Sequence, residues 1–239
     1  MLDYGQFCPV ARAAEVFGER WTPLVVRELL CGSTRFNEIR RGVPRMSTTL
    51  LAQRLRKLEE IGVIERANGA AEYQVTAAGE ELRPIVMALG YWGSRWIGSR
   101  LKREQLDAGF LMWDVRRFAR RELFPRERRI VVQFRFSDAR QGERAWWLVV
   151  ENGEVDLCRD DPGHEVTLIV ESTVRALTEV WTGDLLPEQA VKRGEVRVLG
   201  AARDARNVWR WIGASVFAPT RRETISRSRS AGQSLQPPG

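Results

Sequence analysis

The chain has 239 residues, 44% of them apolar and nine of them tryptophan, with 38 Lys and Arg against 31 Asp and Glu, a formal net charge of +7. This length allows one large or two modest folded units, and the lack of any apolar run of about 18 residues excludes a membrane-spanning helix. The positive balance suits a polyanionic partner, yet the same balance can merely keep a protein dissolved, so its distribution along the chain decides.

Other bounds follow from what is missing. The opening Met1-Leu2-Asp3-Tyr4 lacks the basic and long apolar regions of an export signal. The cysteines are Cys8, Cys31 and Cys158, widely spaced, and His164 is the one histidine. A structural zinc needs four Cys or His ligands, so no metal and no cofactor are expected. An odd number of scattered cysteines fits a reducing, cytoplasmic setting. There is no P-loop, no GxGxxG and no nucleophile motif, so the chain does not read as an enzyme.

In chain order, helix one covers Pro9–Phe17, with Pro9 favoured in a first turn and Gly18 as its stop. Helix two covers Trp21–Leu30, with Thr22 as a possible cap. A short amphipathic segment, Arg35–Val43, leads through Pro44-Arg45-Met46 to a longer helix, Ser47–Ile61. Ser47 suits the N-cap. Leu51, Leu55 and Leu58 fall on one face, and Thr49, Gln53, Arg56 and Glu60 on another. Two β-like runs, Val63–Arg66 and Glu72–Thr76, flank a tip with Asn68-Gly69, whose positive φ such turns need. Helix, turn, helix and hairpin is a winged helix-turn-helix.

From Arg35 to Lys57 the sequence holds seven basic residues and one acid, Glu38. A local excess on a helix fit for the major groove points to double-stranded DNA. Arg35, Arg40, Arg41 and the Ser47 end of the helix are candidates for phosphates. Thr48, Thr49, Gln53 and Arg54 are candidates for base edges, with Lys57 beside them, and Asn68 and Gly69 for the wing.

A long helix is expected from Thr76 to Leu101, with a wide apolar surface from Leu82 to Ile97. That surface, with helix one, either forms a homodimer contact or packs on the chain's own helices. Residues 99–127 read as a basic linker that becomes a short helix docking on the second unit. Ile130–Phe136, Ala145–Glu151, Glu154–Cys158, Val166–Val170 and Glu195–Leu199 read as strands. Thr173–Trp181, Pro187–Arg193 and Arg203–Ser215 read as helices, and residues 217–239 as a disordered tail. The fold class is α+β: a winged helix-turn-helix, mainly α with a hairpin wing (1–98), then a five-stranded sheet packed by helices (128–216).

Residues 8–98 resemble the HxlR-type winged-helix regulators, through Cys8-Pro9-Val10, Trp21-Thr22, Arg35-Phe36, Glu38-Ile39, Gln53-Arg54-Leu55, Gly62-Val63-Ile64 and Tyr73. The resemblance implies a homodimer, joined through the N-terminal helix and the Thr76–Leu101 helix, on a palindromic operator. It also marks Cys8 as either a redox sensor or a small contact residue. Residues 126–215 resemble the sterol carrier protein type-two fold, through Trp147 to Val150, Trp181 with Gly183-Asp184, and Gly194 with Val196 and Val198. That likeness implies a domain sensing a hydrophobic small molecule, with Trp146, Trp147, Trp181, Trp209 and Trp211 either lining a pocket or filling a core. The rival reading is a lipid carrier in which DNA binding is secondary.

Overall fold

A computed structural model describes residues 4–67, 71–97 and 101–233. Its contacts divide the chain into two units, Met1–Gly90 and Tyr91–Gly239.

The first unit begins with α1 (Pro9–Phe17) and α2 (Thr22–Leu30). Trp21, not Thr22, stands at the N-cap of α2, in a left-handed conformation with φ 79°. The Thr22 hydroxyl is buried there without a partner. The turn is held by Thr22 N–H donating to the Glu19 carbonyl at 3.0 Å. Next come α3 (Phe36–Gly42) and α4 (Thr48–Glu60), then β1 (Ile64–Arg66) paired antiparallel with β2 (Tyr73–Val75). Leu51, Leu55 and Leu58 of α4 bury against Val25, Leu29 and Ile39 in one core. That burial, about 1.5–3 kcal/mol per large apolar side chain, fixes which way α4 faces.

The long helix expected from Thr76 is interrupted. Thr76 caps α5 (Ala77–Glu80) by accepting from Gly79 N–H at 3.2 Å, and donates to the Gly62 carbonyl at 2.6 Å. The chain then turns, and α6 (Arg83–Trp92) starts afresh with Pro84 in its first turn, where a missing N–H costs nothing. A π turn, Gly93–Ile97, follows.

The second unit is built on a mixed sheet. Its strands are β3 (Ile130–Phe136), β4 (Ala145–Glu151), β5 (Glu154–Cys158), β6 (Leu168–Ser172) and β7 (Val196–Gly200). Their order is β5-β4-β3-β6-β7, and β3 pairs parallel with β6 while the other neighbours are antiparallel. Strand β6 begins two residues later than its apolar pattern suggests. Thr167 precedes it and makes two hydrogen bonds with Val131, accepting its N–H at 3.1 Å on the hydroxyl and donating its own N–H to the Val131 carbonyl at 2.9 Å.

Helices α7 (Ala108–Phe118), α8 (Val174–Thr182), α9 (Pro187–Lys192), α10 (Ala202–Ala205) and α11 (Val208–Ile212) complete the unit. In the basic segment 99–127 the expected docking helix is α7, which buries Leu111, Met112 and Val115 in the core. Two features differ from the sequence expectations. The single closing helix Arg203–Ser215 is two, α10 and α11, separated at Arg206-Asn207 and stopped by Gly213 at φ 73°. Residues 218–233 of the expected tail form a helix, α12 (Ala218–Gln233), where Ala218 is fully buried and Arg221 pairs with Asp184 at 2.6 Å. Among the described residues no helix is long and apolar enough to cross a membrane.

Candidate nucleic-acid interface

The helix-turn-helix is locked at both helix starts. Glu38 accepts from the backbone N–H groups of Thr34 (3.0 Å) and Arg35 (3.2 Å), closing the N-terminus of α3. Ser47 accepts from Leu50 N–H at 3.3 Å at the head of α4. The hairpin is tied in as well, since Tyr73 N–H donates to the Thr34 carbonyl at 2.7 Å.

At about 100° per residue, Thr49, Gln53, Arg56 and Glu60 lie opposite the Leu51–Leu55–Leu58 stripe. All four are exposed. Thr48 is exposed at the helix head beside the exposed Ser47, where backbone N–H groups and the helix dipole favour an anion. Lys57 is half-buried and 3.4 Å from Glu60. Arg40 and Arg41 are exposed at the end of α3.

Arg54 sits differently from the expectation that it faces bases. By the same spacing it lies only about 65° from the centre of the leucine stripe. Its guanidinium is 2.6 Å from the Glu19 carboxylate and reaches the Arg20 carbonyl at 3.5 Å. Arg35 is likewise engaged, 2.7 Å from Glu72. The hydrogen bond to Glu72, then that carboxylate's charge, raises the Arg35 pKa above its usual value. Asn68 and Gly69 lie outside the described residues.

Two arginines belong with the candidates that sequence reasoning singled out. The side chains of Arg45 in the turn and Arg56 in the exposed row of α4 have, like that of Arg40, no ion-pair or hydrogen-bond partner among the described residues. Arg56 was signalled by its period with Gln53. Arg45, in the proline turn, carries no periodic mark.

In the second unit the five expected pocket tryptophans are buried in the core or packed against it. Trp146, Trp181 and Trp211 are core residues, Trp209 packs against that core, and Trp147 is 7% exposed. Among the described residues, none of them lines either of two clefts in this unit. The larger, about 820 Å³, lies at the end of the sheet where β3 and β6 finish. The other, about 550 Å³, is braced by Arg128–Asp204 (2.6 Å) and Arg129–Glu151 (2.8 Å). Among the described residues no group of His, Cys, Asp and Glu is placed to hold a metal ion.

Comparisons with known proteins agree with the first unit's geometry. The profile of the HxlR-like helix-turn-helix family matches residues 16–101. The uncharacterized HTH-type transcriptional regulator YvaP of Bacillus subtilis is 34% identical over 102 residues, which is 40% of this chain and 94% of that protein. A counterpart in Synechocystis is 35% identical over 101 residues, covering 40% of this chain and 75% of its own length. For the remainder, apo sterol carrier protein 2 of Yarrowia lipolytica aligns over 48% of this chain and 95% of its own, at 11% identity and a TM-score of 0.33. That likeness is too slight to build on, so the second unit stands on its own sheet and helices. Through its first unit, the chain belongs to the HxlR-like helix-turn-helix family of DNA-binding transcriptional regulators.

Proposed function

We propose that the chain binds a palindromic operator as a homodimer, with α4 in the major groove. The observation that carries this reading is the exposed row Thr49, Gln53 and Arg56, directly opposite the buried leucines. Gln pairs well with adenine and Arg with guanine, each at about 1–3 kcal/mol of discrimination. Arg40, Arg41, Arg45, Ser47 and Thr48 hold phosphates and set register. Arg35, Arg54 and Lys57 stay part of the interface, the first two as braces that shape it and reach DNA only by leaving Glu72 and Glu19. Asn68 and Gly69 are assigned to the wing.

Exposed apolar side chains on two helices support the dimer reading. Phe7 and Val10 beside and on α1 are 98% and 75% exposed, and Ile85, Leu89 and Trp92 on α6 are 48%, 50% and 58% exposed. Patches of this kind mark interaction sites. In a two-fold dimer the half-sites would lie about 34 Å apart, one DNA turn.

The second unit is proposed as an effector-receiving domain, and its sequence resemblance to sterol carrier proteins, at Trp147 to Val150 and Trp181 with Gly183-Asp184, suggests a hydrophobic small molecule. Its tryptophans then serve as core, with ligand entry requiring repacking. Selection of bound fragments from a random DNA pool tests the operator reading. Recovery of an inverted repeat is expected, and recovery of no common sequence would overturn it.

A further inference from the structure

We propose that the cleft at the end of the β3–β6 pair is a binding site for a small organic acid, its anionic head held by Arg135, Arg144 and Arg197.

The charges there do not cancel. Arg135, Glu171 and Arg197 are register neighbours on β3, β6 and β7. Glu171 lies between the two arginines, 3.6 Å from one and 3.4 Å from the other. One carboxylate thus faces two guanidinium groups. Arg135 spends its Nε on Gln133 at 2.9 Å. Arg144 gives its Nε to the Ala139 carbonyl at 3.2 Å and has no carboxylate partner among the described residues. The remaining acids in the wall are also matched, Glu179 by Arg175 of the same wall at 3.6 Å and Glu195 by Arg193 outside it at 3.9 Å. The cleft therefore keeps a positive surplus at Arg144 and at one arm of the Arg135–Arg197 pair. Guanidinium forks suit carboxylate and phosphate oxygens through paired hydrogen bonds.

A second observation is independent of charge. Ser172 lines the same cleft, is 8% exposed, and its hydroxyl has no hydrogen-bond partner. Buried hydroxyls are normally satisfied; this one points to the Phe136 face of the sheet, opposite Glu171, and is sealed, so an occupant's oxygen would reach it only around the sheet end and once the cleft floor opens. Phe136, Ala145 and Ala176 supply an apolar flank, so the occupant has an anionic head and a short apolar tail. Binding at this site does not depend on the effector reading, although its regulatory meaning rests on that reading.

Calorimetric titration of the full chain tests it, using acetate, hexanoate and inorganic phosphate at ionic strength held constant with chloride. One saturable site per chain is expected, weakened by about tenfold or more, the loss of a charged hydrogen bond, in Arg144→Gln and in Arg197→Gln. Arg197→Lys should retain part of the affinity. Arg40→Gln, in the DNA-binding unit, should retain all of it. Hexanoate above acetate assigns a carboxylic acid with an apolar tail, and phosphate above both assigns a phosphate ester. Absence of saturable binding for all three probes, or binding that survives both cleft variants, or binding lost in Arg40→Gln, overturns the site. The altered arginines are exposed, and matching thermal melts would establish that the variants fold. Anion binding with unchanged operator affinity would leave the site standing and remove only the effector reading.

Discussion

Arg54 of the proposed recognition helix and Glu19 of the loop before α2 form an ion pair at 2.6 Å, with side chains only 21% and 24% exposed. The pair straps the loop carrying the left-handed Trp21 onto the back of α4. Arg54→Ala and Glu19→Ala should each cost about 1 kcal/mol of stability, and the double variant little more than either alone, as partly screened pairs do. Denaturant melts of all four proteins would give the coupling. Strict additivity would show that the two residues act separately.

The exposed row of α4 should divide by chemistry. Gln53→Ala and Arg56→Ala should each lower affinity for the selected operator by about 1–3 kcal/mol while sparing non-specific DNA. Arg40→Ala should weaken every sequence alike and flatten the dependence of log affinity on log salt by about one. Binding isotherms at several salt concentrations separate the two classes. Sequence discrimination that persists in both Gln53→Ala and Arg56→Ala would contradict the docking proposed for α4.

Gly42 ends α3 against the buried Glu28 carboxylate, and a Cβ there would overlap it. Gly42→Ala should destabilise the first unit by about 1–3 kcal/mol, the range for overpacking. Thermal unfolding measures this directly, and an unchanged melting temperature would mean that Glu28 can move aside.

The apolar surface of α6 should govern self-association. Leu89→Asp should shift the chain toward monomer in sedimentation equilibrium and weaken operator binding in proportion. A monomeric parent protein would remove the premise.

Cys8 stands at the N-cap of α1, half-buried, with Pro9 in the first turn. If it is a redox sensor, Cys8→Ser will abolish oxidant-dependent release of DNA. Cys158 is a poor rival, because burial, then Asp156 and Asp160, push its thiol pKa up and reduce the reactive thiolate near neutral pH. Alkylation kinetics followed by mass spectrometry should show slow labelling at Cys158.

The sequence made the helix-turn-helix legible because its signals are local. Ser47 caps within three residues, and Leu51, Leu55 and Leu58 repeat with the helix period. Strands β3 and β4 were equally visible as runs rich in Val, Phe and Trp, and β5 by the alternation of Val155 and Leu157 with polar residues after the Asn152-Gly153 turn. The role of Arg54 was hidden because its partner comes from another loop. The tryptophans could not be sorted into pocket or core, because an apolar pattern states that a residue turns inward and not what it meets there. Residues 218–233 have the Arg- and Ser-rich composition of a loose tail, yet the buried Ala218 and the Arg221–Asp184 pair hold the start of a helix, contacts that composition does not encode.

The side-by-side, same-direction pairing of β3 with β6 sets an order of events during synthesis. Val132 must wait for Leu168, with β4 and β5 emerging from the ribosome between them, whereas every contact of α4 with α2 is available far earlier. Such distant pairings close slowly, so the DNA-binding half should mature first. A nascent chain stalled before β6 would expose a bare β3 edge, the kind of surface that recruits other strands and that chaperones guard.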